Sequence, residues 1–179
     1  SDLSTPTNTN GGSAASRRNN LLKFDFAGNL SDWKGKVTGK VYSLLVDEEN
    51  DRLYVGGEIS KMTDPEGNGA DRTALLAFGL EGAEIVDWSP VARSFNKQVN
   101  AIARIVNVIY AAGRFTFEDD SGKKRSNLAA VSASDAKLLD WEPTGLGSFV
   151  YTLTPANDRM FVGRSGSTPL LSFDLNVGN

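Results

Sequence analysis

The 179-residue chain contains no cysteine and no histidine. Without cysteine there are no disulfides, no thiolate nucleophiles and no cysteine zinc sites. Without histidine there is no Ser-His-Asp triad, the most common general base is missing, and most transition-metal sites lose their preferred ligand. The two absences together predict a protein that is not an enzyme.

Long apolar runs and an excess of basic residues are also missing. No apolar run approaches the roughly 18 to 20 residues that a membrane helix needs, so we expect no membrane insertion. Lysine and arginine number 19 against 22 aspartates and glutamates, for a net charge of −3. A nucleic-acid-binding domain usually carries a basic stripe, so no nucleic-acid partner is expected. The first residues do not have the pattern of a signal peptide.

Three landmarks recur along the chain with one period. They are an Asp-Trp pair, an arginine before an apolar segment, and a glycine after an aromatic residue. The pairs are Asp32-Trp33, Asp87-Trp88 and Asp140-Trp141, the arginines are Arg18, Arg72 and Arg125, and the glycines are Gly57, Gly113 and Gly163. The Asp-Trp pairs are spaced by 55 and then 53 residues. Self-similarity at a fixed period is the signature of a repeat architecture.

Each repeat holds four short apolar stretches separated by Gly, Asn, Asp and Pro, a pattern typical of β-strands. No window sustains the apolar spacing of an amphipathic helix. Four strands in a unit of about 50 residues form a β-propeller blade. The sequence therefore predicts an all-β fold made of propeller blades of four antiparallel strands. We expect the repeated glycines to allow close approach of neighbouring backbones.

The period divides the chain into partial and complete blades. Residues 1–15 are predicted to be a flexible lead or an inter-strand loop, and 16–179 to be repeats. Within them, 16–40 ends a first blade, 41–91 and 97–144 are the second and third, and 148–179 is a partial fourth. Since propellers close with about 4 to 8 blades, we expect an incomplete ring, part of a larger propeller. The rest of its own propeller would complete it; the alternatives are other copies in an assembly, or a small ring closed by the two partial blades.

Several of these landmarks resemble a known family. Residues 125–130 (Arg-x-Asn-Leu-Ala-Ala), the Asp-Trp-x-Pro segments at 87–90 and 140–143, and Tyr-Val-Gly-Gly at 54–57 resemble kelch-like propeller repeats. They look more like a variant found in tandem in secreted and surface-attached bacterial proteins of unknown function and in fungal cell-end marker proteins. The resemblance covers roughly residues 16–175, and it implies an extracellular or cell-surface location. The third copy departs from the pattern, with Gly163-Arg164 in place of the double glycine.

Two sets of residues are candidates for a site. Asp64, Glu66, Asn68 and Asp71 place oxygen ligands near a glycine, as in the first half of a calcium loop, but Leu75 stands where the bidentate acid belongs. A polar turn is the alternative, and the sequence suggests no cofactor other than calcium. The repeated arginines are predicted to pair once per blade with the aspartate of an Asp-Trp pair, in the same or a neighbouring blade, with the tryptophan packed over the ion pair. Binding of a ligand by these residues is the alternative.

Two classes of function fit this sequence. The first is a non-catalytic binding or scaffold module that presents loops to protein or carbohydrate partners. The second is part of a carboxylate-based glycosidase or lyase whose active site lies mostly outside this chain. An enzyme of the second class should gather Asp, Glu, Tyr and Arg side chains at the centre of the ring, whereas a binding module need not.

Overall fold

The computed structural model describes residues 20–90 and 98–175, and every regular element in these ranges is a β-strand. The strands are β1 Lys36–Asp47, β2 Arg52–Thr63, β3 Gly69–Ala70, β4 Leu75–Gly79, β5 Gln98–Ile105, β6 Val108–Glu118, β7 Lys124–Ser132, β8 Val150–Ala156, β9 Arg159–Arg164 and β10 Leu170–Asp174. In these same ranges there is no helix long and apolar enough to cross a membrane. The prediction for residues 1–15 lies outside the described residues, as does Arg18.

The strands form three antiparallel sheets in chain order. The first sheet is β1-β2-β4, with β3 paired to the end of β2; the second is β5-β6-β7; the third is β8-β9-β10. The predicted fourth strand of a blade is reduced to one bridge, Phe78 with Ile85 in the first sheet and Val131 with Leu138 in the second. In the first sheet it is this short because the chain turns through Gly82 and reaches Trp88 only six residues later. A third bridge, Phe24 with Leu30, belongs to a preceding blade.

The sheets pack face to face. Alternate residues of a strand point to opposite faces of its sheet, so one strand can contact the blade on either side. In β2, Tyr54 packs towards the second sheet, whereas Val55 packs against the segment that precedes the first sheet. Leu75 and Leu76 of β4 alternate in the same way. β4 and residues 54–57 of β2 are therefore buried on both faces, which explains why these segments carry no charged side chain. A third apolar cluster joins the second and third sheets.

The first strands of the sheets lie side by side, β1 against β5 and β5 against β8. Four-position antiparallel blades packed face to face around their first strands are the arrangement of a β-propeller. The predicted all-β fold of propeller-type blades is confirmed. One predicted boundary is wrong, since the division between residues 40 and 41 falls inside β1. The segment Lys36–Lys40 is polar apart from Val37, so its sequence carries little sign of a strand.

Each tryptophan joins its own blade to the next. The indole Nε1 of Trp33 donates to the Gly79 carbonyl at 3.3 Å, that of Trp88 to Ser132 at 3.0 Å and that of Trp141 to Asp174 at 3.0 Å. Every acceptor is the last residue of the third strand of the following sheet. The Asp-Trp period is thus the period of the interfaces between blades.

Burial at these interfaces predicts sensitivity to alkaline pH. Tyr54 and Tyr110 lie in the apolar clusters, and this burial raises the pKa of both phenols. The unfolded chain then loses these protons first, near pH 10, so folding stability is lost as pH rises above 10 towards the raised values. In urea titrations at pH 7 and pH 11, we expect Y110F to lose less stability than the wild type between the two. An identical loss in Y54F, Y110F and the wild type would contradict this.

Candidate binding surface

The innermost strand of every sheet carries a β-bulge at the same register. The bulges lie between Val41 and Ser43 in β1, between Val99 and Ala101 in β5, and between Val150 and Thr152 in β8. The extra residues are therefore Tyr42, Asn100 and Tyr151. A bulge inserts an unpaired residue and re-aims its side chain, and bulges are frequent next to functional sites.

Close backbone contact accompanies two of the bulges. A Cβ added at Gly57 would lie 1.9 Å from the Lys40 carbonyl oxygen, and one at Gly113 would lie 2.0 Å from that of Gln98. The predicted close approach is present, and it occurs between the first two strands of a single sheet. In the third sheet Arg164 pairs with Val150 and so takes the place of Gly57, while Gly163 corresponds to Gly56. The third sheet therefore has Gly163-Arg164 where the first has Gly56-Gly57, the departure from the pattern that the sequence already shows.

Around the first bulge, an aromatic side chain lies beside a pair of opposite charges. Tyr42 is 44% exposed, and its hydroxyl donates to Glu58 Oε2 at 3.3 Å. Lys40 Nζ contacts the same oxygen at 3.3 Å, and this hydrogen bond together with the charge of Glu58 raises the pKa of Lys40. Both charged side chains are more than half exposed, so the pair is weak and can exchange for contacts to a ligand.

Around the other two bulges, the side chains link the second and third sheets. Asn100 Nδ2 donates to the Val150 carbonyl at 2.7 Å, and its Oδ1 accepts from Gln98 Nε2 at 2.6 Å. The Arg114 guanidinium lies 4.5 Å from the centroid of the Phe149 ring, a cation–π contact. Tyr151 is 59% exposed.

We call this set of side chains the inner-strand surface: Lys40, Tyr42, Glu58, Asn100, Arg114, Phe149 and Tyr151. It combines exposed aromatic rings with hydrogen-bond donors and acceptors, as ligand sites do. Glu58 is its single carboxylate, whereas glycoside hydrolysis by the common mechanisms uses two.

The predicted ion pair of arginine and aspartate forms in one of the two repeats whose arginine lies within the described residues. Arg72 Nη2 lies 2.6 Å from Asp87 Oδ1. The prediction is wrong for Arg125, which is buried and donates to the backbone carbonyls of Trp141, Asp140 and Leu139 at 3.1–3.2 Å.

The two repeats differ because the repeat that contains Arg125 also contains a competing cation, Lys123. Lys123 Nζ lies 2.7 Å from Asp140 Oδ1, and this hydrogen bond lowers the pKa of Asp140. The tryptophans also depart from their predicted place over the ion pair. Trp88 packs edge to face on Tyr54 at 4.7 Å, and Trp141 packs on Tyr110 at 5.2 Å.

The segment compared with a calcium loop is a hairpin turn. The Asp64 carboxylate accepts the backbone N–H of Asn68 at 2.8 Å and its side-chain amide at 2.9 Å, and Gly67 has a φ of +93°. Asp25 and Asn29 make the same turn. Residues 20–90 and 98–175 contain no group of three acidic side chains placed to hold a metal ion, and Glu66 and Asp71 do not join Asp64 in one. The motif Asp-x-x-Gly-Asn, present at both places, could have revealed the turn.

Comparison with known proteins gives structural likeness alone. No family model matches the chain, and no curated protein matches it. The computationally designed protein Ika4 is 12% identical with a TM-score of 0.43, covering 78% of this chain and 93% of its own. The designed protein Ika8 is 13% identical with a TM-score of 0.45, covering 78% and 47%. Virginiamycin B lyase from Staphylococcus aureus is 10% identical with a TM-score of 0.26, covering 80% and 74%.

Proposed function

We propose that the chain is a non-catalytic binding module of an exported or cell-surface protein, and that its inner-strand surface contacts carbohydrate. The observation that supports this is the row of bulges, in register on neighbouring strands, at Tyr42, Asn100 and Tyr151. Because the bulges lie at the same register in three packed sheets, they offer an elongated ligand a series of similar contacts. The kelch-like sequence pattern supports the location at the cell surface.

The chemistry of the row favours a sugar polymer. The exposed faces of Tyr42 and Tyr151 can stack on the C–H faces of pyranose rings, as apolar groups pack on aromatic side chains. Sugar hydroxyls need both donors and acceptors, which Lys40, Glu58 and Asn100 provide. A protein ligand is the second candidate, favoured by the mixed charges of Glu58 and Arg114. The carboxylate-based glycosidase or lyase would need a second acid beside Glu58.

Binding to an oligosaccharide array tests this proposal, followed by calorimetry with the best hexasaccharide. We expect Y42A and Y151A each to weaken binding about tenfold, the equivalent of 1.4 kcal/mol of lost stacking and area. V106A is the control, because Val106 is an exposed apolar residue in the turn at the opposite end of β5. Absence of binding to any glycan would reject the carbohydrate ligand, and equal weakening by V106A would reject the surface.

A further inference from the structure

Two apolar faces of the described structure are open. The first, which we call the leading face, consists of Leu22, Phe24 and Leu30, exposed by 54%, 51% and 39%. The second, the trailing face, consists of Phe161 and Leu170 on the third sheet, exposed by 39% and 64%. Large apolar side chains grouped in this way often mark an interaction surface.

Strand register identifies the leading face with one half of the interface between blades. Phe24 bridges to Leu30 as Val131 bridges to Leu138. Val131 and Leu138 are buried in the cluster that joins the first and second sheets, on the side that faces the preceding blade. The leading face therefore carries the residues with which a blade covers the blade before it.

The trailing face corresponds to the other half. Leu170 pairs with Gly163 on β9 as Leu75 pairs with Gly56 on β2. Phe161, two residues before Gly163, thus corresponds to Tyr54, two residues before Gly56. Tyr54 and Leu75 are fully buried in the cluster that Val131 and Leu138 complete. The repeat positions that pack together at the interface between the first and second sheets are therefore the same positions that are exposed on the leading and trailing faces.

A polar contact follows the same register. Arg52 of the first sheet donates through Nη1 to the Ala133 carbonyl of the second sheet. Arg159 stands two residues before Phe161, as Arg52 stands two residues before Tyr54. In the present structure Arg159 contacts Ser172 of its own sheet, so its guanidinium is placed on the trailing face, where a following blade would offer a carbonyl.

We propose that the trailing face of one copy of this chain binds the leading face of a second copy, head to tail. Both halves are carried by every copy, and the net charge of −3 opposes association little. The contact is heterologous, so it extends beyond two copies into a ring or an open chain. The three tryptophans of the chain all donate to acceptors within it, so we expect the contact between copies to be weaker than the internal interfaces and to depend on concentration.

Sedimentation of the 179-residue chain over about a hundredfold range of concentration tests this. We expect the average mass of the wild type to rise beyond the dimer. F24D removes the leading face and L170D the trailing face, so each variant alone should remain monomeric. A mixture of F24D and L170D chains should form a 1:1 dimer and nothing larger, because only the trailing face of F24D and the leading face of L170D remain intact. V106D, with an exposed side chain on neither face, should associate as the wild type does.

Several results would overturn the proposal. A monomeric wild type at every concentration would mean that something other than a second copy covers these faces. Variants that stay dimeric alone, or a mixture that stays monomeric, would show that the contact is not head to tail. Cross-linking gives a check with little disturbance of folding, because Leu22 and Leu170 are exposed. The chain has no cysteine of its own to compete with the introduced thiols. Mixed L22C and L170C chains should form a disulfide-linked heterodimer far faster than V106C and L170C chains.

Discussion

Replacing Trp88 by alanine is expected to lower the free energy of unfolding by about 3 to 5 kcal/mol. Trp88 is fully buried in the cluster between the first and second sheets, where its ring packs edge to face on Tyr54 at 4.7 Å. The substitution leaves a cavity and removes the hydrogen bond to the Ser132 carbonyl. Urea denaturation followed by circular dichroism measures the loss.

The variant W88F separates packing from hydrogen bonding. It keeps most of the buried ring and loses the donor, so the expected cost is the smaller one of leaving a carbonyl unpaired, about 1 to 3 kcal/mol. V106A, at an exposed turn, should change stability by less than about 0.5 kcal/mol. If W88A and W88F cost the same, the hydrogen bond and not the ring would be the source of the stability.

The position of the tryptophans could be predicted from the sequence, but their partners could not. The spacing of the Asp-Trp pairs marks the repeat because the indole must fill the same interface each time. Its acceptor is a backbone carbonyl in the following sheet, at Gly79, Ser132 or Asp174. Because every residue has a backbone carbonyl, no pattern of side chains in the sequence predicts which residue accepts from the indole.

The inner-strand surface was missed for a related reason. Its bulge residues are Tyr42, Asn100 and Tyr151, and they differ in type because the bulge is a property of the backbone. The available signal was the glycine on the neighbouring strand, Gly57 or Gly113, where only a missing Cβ permits the approach. Arg164 interrupts that signal in the third sheet.

Charged residues were the least predictable, because short-range competition decides their partners. Arg72 and Arg125 occupy the same place in the repeat, yet Arg72 pairs with Asp87 while Lys123 takes Asp140 from Arg125. Asp64 shows the same effect. Its carboxylate accepts hydrogen bonds from both the backbone N–H and the side-chain amide of Asn68 and does not join Glu66 in a metal site. In each case one neighbouring side chain changes the outcome without changing the repeat.

Replacing Arg104 by methionine is expected to lower the free energy of unfolding by about 3 kcal/mol. Arg104 on β5 reaches across to the turn after β1, with Nη1 3.0 Å from Asp47 Oδ1 and Nη2 2.6 Å from Glu49 Oε2. The Asp47 side chain is completely buried, so R104M leaves a carboxylate away from water without its cation. Asn50 continues to donate to both oxygens of Asp47, which keeps the cost at the lower end of the range for such pairs. Urea denaturation at pH 7 measures it.

The double variant D47N/R104M tests whether burial of the charge is the cause. With the carboxylate gone, removal of Arg104 should cost about 1 to 3 kcal/mol less than it does in the wild type, a coupling expected of residues in direct contact. E49Q is the matched control, because Glu49 touches the same guanidinium but is 80% exposed. An exposed pair contributes about 0 to 1 kcal/mol. If E49Q proved as costly as R104M, the stability would come from the ion pair with Glu49, and Asp47 would not depend on its cation. A large coupling with a small effect of E49Q would instead show that the stability comes from the Arg104–Asp47 pair, one of several polar contacts between the first and second sheets.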